Sequence, residues 1–328
     1  MSYLSYVVRR AAFAVTSLYA IVTVTFLFGT MVIKSDIENA LAVARYNGAD
    51  TQELLELKQG LYRTYDLNDP LFERVVGWWV DVTTLDWGQS RAFDEPIVAV
   101  LDGRIVTTLE YVIPGILIAI ALGILVGLYA ALSKDGGVDW VSRLGSYALL
   151  GVPVFVLATY LVHFSGYEVT LLGGWYLVLP EPNDLTIAAI VVALSLLAGQ
   201  LRFARASVLE QTGEVFVKML RAKGADRLRL ARHVLRNAAL PIVSLSITEL
   251  LGVLVLNIYL IERALEIPGL AEVTLRAAGL EEGFQIQATL SDIPLLIWSI
   301  MVVVFLGITL SFLQDVVYGY LDPRVRAG

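Results

Sequence analysis

Residues 111–132 read YVIPGILIAIALGILVGLYAAL, 22 consecutive positions without a charged side chain. An α-helix rises about 1.5 Å per residue, so about 20 apolar residues cross the hydrocarbon core of a bilayer. No water is available there to satisfy a free backbone amide, and a segment of this kind therefore spans as a helix. Five further segments are largely apolar and of comparable length, the fourth being the shortest: residues 11–33, 141–162, 185–201, 240–261 and 294–313. The expectation is an all-α membrane protein with six transmembrane helices. The first of them is too long for the core of a cleaved signal peptide and is read as retained.

Composition agrees with that reading. The 328 residues are 57% hydrophobic and 17% charged, with a mean hydropathy of +0.70, whereas an ordinary soluble domain carries about 25% charged residues. The chain has no cysteine and two histidines, which excludes disulfide scaffolds and thiolate metal sites and leaves almost no histidine for a metal centre. A net charge of −7 argues against nucleic acid as a partner, because phosphate binding needs a basic surface. Lysine is scarce, 5 residues against 19 arginines, and the acidic residues crowd into a few loops. Such a surface suits high salt, where self-repulsion is screened, and composition thus hints at a halophilic prokaryote.

Orientation follows from the excess of Lys and Arg in cytoplasmic loops. With the N-terminus inside, the inner segments hold 15 basic and 7 acidic residues, and the outer ones 9 basic and 23 acidic. Both termini are expected in the cytoplasm of a cell-membrane protein. The chain then divides into residues 1–33 (N-terminal segment and first span), residues 34–110 (an extracytoplasmic segment) and residues 111–328 (a five-helix core). In the outer segment, residues 51–61 and 70–85 have helical spacing and an amphipathic pattern, the second presenting Phe72, Trp78 and Trp79 beside Glu73, Arg74 and Asp81. Residues 171–179 are apolar but too short to span, and read as an outer loop with Trp175 and Tyr176 at the headgroups.

The inner loop at 202–239 is the most informative stretch. It reads RFARASVLEQTGEVFVKMLRAKGADRLRLARHVLRNAA, with nine basic and three acidic residues. Helical spacing over 202–217 is followed by Gly224, which permits a left-handed break, and then by a second helical stretch over 225–237. A helix, a corner and another helix are therefore expected on the cytoplasmic side. Taken alone, a basic inner loop also fits contact with anionic lipid.

Within the fifth span, Glu249 is the lone acidic residue at depth, where charge costs several kcal/mol and normally faces protein or water. Ser246, Glu249, Gly252 and Asn257 fall on a broad common face of that helix, which fits either a translocation pathway or a buried hydrogen bond to a neighbouring span. Gly123 and Gly127 form a G-x-x-x-G pair that permits close helix approach. Pro153 is expected to kink the third span. The sequence contains no G-x-x-x-x-G-K-[ST] phosphate loop, no H-E-x-x-H and no G-x-S-x-G, so nothing marks this chain as an ATPase or an intramembrane hydrolase.

The order of residues in the inner loop resembles the cytoplasmic signature of permeases of ATP-binding cassette importers, in the dipeptide, oligopeptide and nickel subfamily. The residues that carry the resemblance are Arg202, Arg205, Leu209, Glu210, Phe216, Val217, Arg221, Ala222, Lys223, Gly224, Arg232, His233, Asn237, Ala238 and Pro241. It extends to YVVRRAAFAV near the N-terminus, LNDPLFERVVGWW and LDWGQS in the outer segment, IERALEIPGL after the fifth span and LDPRVR in the tail. Met219 and Leu220 depart from it, standing where small residues are expected before RAKG.

The resemblance implies an importer-type permease fold and a loop that docks into a groove on a separate ATPase subunit. Gly224 would set the corner, Ala222 would allow close approach, and Lys223, Asp226 and Arg227 would supply polar contacts at the rim. Arg205, Glu210 and Arg221 belong to the same coupling loop. Arg236 and Asn237 would bond exposed carbonyls where the chain re-enters the fifth span, and His233 would be packed. It also implies a second homologous permease, two ATPase subunits that bind ATP and Mg, and an extracytoplasmic solute-binding protein. This chain would hold no cofactor or metal of its own. The solute would be a dipeptide, an oligopeptide or nickel. The alternative is an ion-coupled secondary transporter, in which Glu249 carries a proton; it predicts internal repeats and broken helices at midplane.

Overall fold

The computed structural model describes residues 2–164, 168–170, 176–178, 183–252, 256–280 and 292–321. The expected C-terminal tail LDPRVR falls almost wholly outside them, as does Trp175. The described chain is helical apart from one short hairpin. In order, the elements are α1 (Tyr3–Tyr46), α2 (Thr51–Thr64), α3 (Leu71–Thr84), α4 (Ile97–Leu132), α5 (Gly137–Gly151), α6 (Val154–Phe164), β1 (Glu168–Thr170), β2 (Tyr176–Val178), α7 (Asp184–Thr212), α8 (Val215–Ala222), α9 (Arg227–Gly252), α10 (Ile258–Leu265), α11 (Leu270–Ala277) and α12 (Ile293–Leu321).

Four of these, α1, α4, α7 and α12, are long and apolar enough to cross a membrane, and α5 with α6 make a fifth if the bent pair is one span. The bend corrects the expectation of a merely kinked third span: α5 and α6 meet at 97°. The cause is local, because Pro153 has no amide hydrogen to donate and its ring disfavours helix at the residue before it. Val152 accordingly adopts φ −100°, ψ 117°. Most of the loop expected over 171–179 lies outside the described residues; of it, Tyr176–Val178 pairs antiparallel with Glu168–Thr170, Val169 opposite Leu177.

Helix ends follow capping chemistry. Asp50 and Glu53 close a capping box on α2, each side chain accepting from the other's backbone amide. Asn183 Oδ1 accepts from the Thr186 amide at 2.8 Å to start α7, and Asp292 Oδ1 accepts from the Leu295 amide to start α12. The expected amphipathic helices of the outer segment are borne out as α2 and α3.

The chain forms two compact units. One is Arg9–Ile105 with Leu270–Thr309. Its core joins Val22, Ile97, Leu101, Leu270, Val273 and Trp298, all buried. Trp298 is sandwiched between Trp78 (ring centroids 4.5 Å apart) and Trp87 (4.6 Å). Stacked pairs of this kind add about 0.5–1.5 kcal/mol each beyond the area they bury. Trp78 is thereby drawn into the core rather than spread on a surface. Asp292, 4% exposed, accepts through Oδ2 from Ser90 Oγ, the Arg91 amide and the Ala92 amide at 2.7–3.1 Å, which ties the turn before α4 to the start of α12.

The other unit is Met1–Val8, Val106–Gly269 and Leu310–Gly328. Here the glycines of α4 do what a small-residue seam does. A Cβ on Gly123 would stand 2.6 Å from Gln200 Cβ, and one on Gly127 would stand 2.8 Å from the Leu201 carbonyl oxygen. The G-x-x-x-G pair thus sets α4 directly against α7, as expected.

Candidate coupling site

The inner loop folds as a helix held between two corners. α7 continues the fourth span to Thr212, past the point where a loop was expected to begin, and stops at Gly213. α8 then runs for eight residues from its N-cap Glu214. Gly224, at φ +73°, takes the left-handed conformation that a side chain resists, and the chain leaves in a new direction. Asp226 Oδ1 accepts from the Arg229 amide at 2.9 Å, capping α9. The helix expected over 202–217 is therefore corrected to two helices separated at Gly213, and the free-standing element is α8. The second expected helix, 225–237, runs on without a break through Pro241 in α9.

α8 has two faces. Val217 is fully buried, packed with Ala131 of α4, Ala204 and Val208 of α7, and Leu230, Val234, Ala238 and Ile242 of α9, with Phe216 and Leu220 half-buried beside it. One turn away, Val215 is 67% exposed and Met219 55%. These two lie at i and i+4, on one stripe of the helix, flanked by exposed Lys218, Ala222 and Lys223. Leu228, just past the corner, is 80% exposed. The site is thus an apolar stripe with a cationic rim, mounted on a core shared by three long helices. A displacement of α8 reaches α4, α7 and α9 through side chains packed at near-crystalline density, where elements shift as units.

Arg205 performs a different task from its neighbours in the motif. Its guanidinium makes a bidentate pair with Asp139 of α5: Nε donates to Oδ1, and Nη2 donates to Oδ2 at 3.0 Å. Asp139 is completely buried and also accepts from the Asp135 amide at 3.1 Å. The fork geometry matches arginine and not lysine. The pair locks the first turn of α5 to α7.

Of the other expected loop residues, Glu210, Arg221, Ala222, Lys223, Gly224, Asp226, Arg236 and Asn237 are all exposed. Asp226 spends its carboxylate on the α9 cap. Arg236 and Asn237 sit within a continuous helix and not at a re-entry point, because Pro241 does not interrupt α9. His233 is exposed rather than packed. The side chain of Arg227 lies outside the described residues.

The expected pathway residues separate. Ser246 is buried, with its hydroxyl 2.7 Å from Gln200 Oε1 of α7 and 2.9 Å from the Ile242 carbonyl. Gly252 is exposed, with open space where a Cβ would stand. Asn257 is half-buried at the start of α10, beyond residues 253–255, which lie outside the described ones, as does the side chain of Glu249. A second acidic residue of this region went unread in the sequence: Glu262 of α10 is 1% exposed. Its Oε1 accepts from Thr108 Oγ1 at 2.6 Å and Tyr111 Oη at 2.9 Å, and a Cβ on Gly269 would stand 2.3 Å from that same oxygen. The signal was present in IERALEIPGL, where an acid one residue past the span was counted among the solvated outer charges.

Among the described residues, no group of three His, Asp or Glu side chains is placed to hold a metal ion. Residues 123–327 match the family described as "Binding-protein-dependent transport system inner membrane component", and the chain belongs to that family. It is a membrane-embedded permease subunit of an ATP-binding cassette importer; ATP hydrolysis belongs to separate chains, and the ion-coupled alternative finds no support. The chain is similar to the metal-staphylopine import system permease protein CntB of Staphylococcus aureus, 28% identical with 80% of this chain and 81% of that protein covered. It is also similar to the dipeptide transport system permease protein DppB of Bacillus subtilis, 26% identical over 82% and 84%. The oligopeptide transport system permease protein AppB of the same organism is 24% identical over 98% and 99%.

Proposed function

We propose that this chain forms half of the translocation pathway of a peptide importer, and that α8 is the helix through which an ATPase subunit drives it. In that assembly the chain pairs with a second homologous permease, two ATPase subunits holding ATP and Mg sit below, and an extracytoplasmic solute-binding protein delivers the solute. Six spans with both termini in the cytoplasm place α8 on the ATPase side, the fifth span being built from α9 and α10. The observation that carries the reading is the division of α8: Val217 anchored in the core of α4, α7 and α9 while Val215 and Met219 are left bare. An amphipathic helix presenting i, i+4 apolar anchors with a charged rim is a groove ligand. Short peptides are the favoured solute because the oligopeptide permease matches nearly end to end and the dipeptide permease over more than four fifths of its length. The likeness to the staphylopine permease favours a second solute class, a metal bound by a small organic chelator.

The test is co-purification in mild detergent and reconstitution. Val215→Glu with Met219→Glu should release the ATPase subunits and abolish ATP-driven uptake while leaving the permease folded. Retained ATPase subunits with normal uptake would refute the assignment of α8.

A further inference from the structure

Within the unit formed by Arg9–Ile105 and Leu270–Thr309, α3 lies along α1, and three contacts fix its direction. Arg74 donates to Thr30 Oγ1 at 3.1 Å, Trp78 packs on Phe26 with ring centroids 5.5 Å apart, and Trp79 Nε1 donates to Thr23 Oγ1 at 3.0 Å. As α3 advances from Arg74 to Trp79 it meets α1 progressively further from its outer end, so the two helices run antiparallel and α3 descends. α1 is itself a depth scale: residues 11–33 carry no charge, and Lys34 marks their outer limit. At about 1.5 Å per residue, Thr30 lies about 6 Å inside that limit, Phe26 about 12 Å and Thr23 about 16 Å. α12 gives a second scale. Trp298, stacked on Trp78, is six residues beyond Asp292, hence about 9 Å inside the charged end of that span. The two scales agree within one helical turn, and both put Trp78 well inside a hydrocarbon core that is about 30 Å thick.

The surface of α3 divides into three faces. Trp78 and Val82 pack on the core of the unit. Glu73 and Asp81 fall on another face and line a cavity of the unit. The third face is Phe72, Val76, Trp79, Val80 and Thr83, a stripe at i, i+4, i+7, i+8 and i+11. All five are exposed, Phe72 by 77%. The polar atoms of the stripe are already spent: the Trp79 N–H on Thr23, and the Thr83 hydroxyl on the Trp79 carbonyl at 3.0 Å. Nothing on this face asks for water. At the same depth α1 leaves Val24, Phe28 and Met31 bare, so the stripe stands at the level of a span's own uncovered surface.

We infer that α3 is inserted into the outer leaflet of the bilayer and that this stripe is a lipid-contact surface, with Phe72 at the headgroup boundary and Val76, Trp79 and Val80 against acyl chains. The segment between the first two spans is then not wholly in water. Because α3 also holds Trp78 against Trp298, the lipid contact braces α1 and α12 together rather than merely tethering a loop. The inference is independent of the solute and goes beyond the importer reading.

The chain has no cysteine, so a spin label can be placed at one position at a time. Phe72→Cys, Val76→Cys and Val80→Cys are labelled in the assembled importer in lipid nanodiscs, its companion chains freed of reactive thiols. Gly77→Cys is the reference, since Gly77 lines the cavity and has open space where a Cβ would stand. Power saturation then compares access of O2, which partitions into lipid, with access of a neutral nickel chelate, which stays in water. O2 should exceed the chelate at all three stripe positions, the ratio rising roughly threefold from Phe72 to Val80 with depth, and the chelate should prevail at Gly77. Greater access of the chelate at Val76 and Val80 would put the stripe in water. Low access of both would put it under protein, such as the second permease. Either result overturns the inference. Should a label disturb assembly, brominated lipid decides instead: the fraction of tryptophan fluorescence that it quenches should fall in Trp79→Phe, and an unchanged fraction would overturn the inference equally.

Discussion

The core beneath α8 and the tryptophan-lined unit solve opposite problems. Beneath α8, apolar side chains from four helices close over Val217 with almost no polar atom among them, so the contact is non-directional and transmits motion as a packed block. In the other unit, three indoles and the Asp292 carboxylate are held by directional contacts spanning some 200 residues of sequence. One region suits the transmission of a push, as the proposed coupling requires. The other is organised to hold a shape around charge. The proposed coupling role needs one anchored face and one bare face, and α8 has both.

That contrast breaks most decisively at the ion pair which braces the first region. Arg205→Ala leaves the buried Asp139 carboxylate with only the Asp135 amide and a distant Arg143, 3.8 Å away, and should cost about 3 kcal/mol, read as loss of the folded permease in a detergent melt. Arg205→Lys, lacking the planar fork, should recover only part of it. Gly269→Ala should cost about 1–3 kcal/mol, because its Cβ would press on the Glu262 carboxylate; a melting midpoint equal to that of the parent would show that the Glu262 cluster is loosely packed. On α8 the two faces should diverge. Val217→Ala should destabilise by about 2 kcal/mol, while Met219→Ala, on the bare stripe, should change stability by less than about 0.5 kcal/mol yet reduce ATP-coupled uptake. Equal melting shifts for the two would erase the distinction.

The smallest effect has the opposite sign. Burial raises the Asp81 carboxyl, so the fold disfavours its ionised form and Asp81→Asn should raise the melting midpoint slightly at neutral pH. The gain is fully present above the raised value and vanishes as pH falls below the ordinary aspartate range, where the parent carboxyl is protonated in folded and unfolded chains alike. A midpoint that falls at neutral pH would show that Asp81 is paired after all.

Length and apolarity of the spans were legible in the sequence, because a bilayer requires about 20 apolar residues of any helix that crosses it. The G-x-x-x-G seam in α4 and the amphipathic α2 and α3 were legible for the same reason: each is a pattern a few residues long with one physical meaning. The corner at Gly224 was readable too, and through its motif so was the family. The extent of α8 was not, since Gly213 differs little in sequence from glycines that helices pass through. Arg205 reads in the sequence as one more residue of the coupling loop because its partner, Asp139, lies 66 residues away. Glu262 was missed because an acid at the end of a span looks solvated until Thr108 and Tyr111 close over it.

Taken alone, then, the sequence determined that the chain is a helical membrane permease and where its cytosolic elbow turns, because hydrophobic length, glycine and charge act locally. Only the tertiary structure decided which face of the elbow is bare, which arginine is internal and where three indoles stack. Burial and ion pairing depend on what distant segments bring to the same place, and no short window of sequence contains that information.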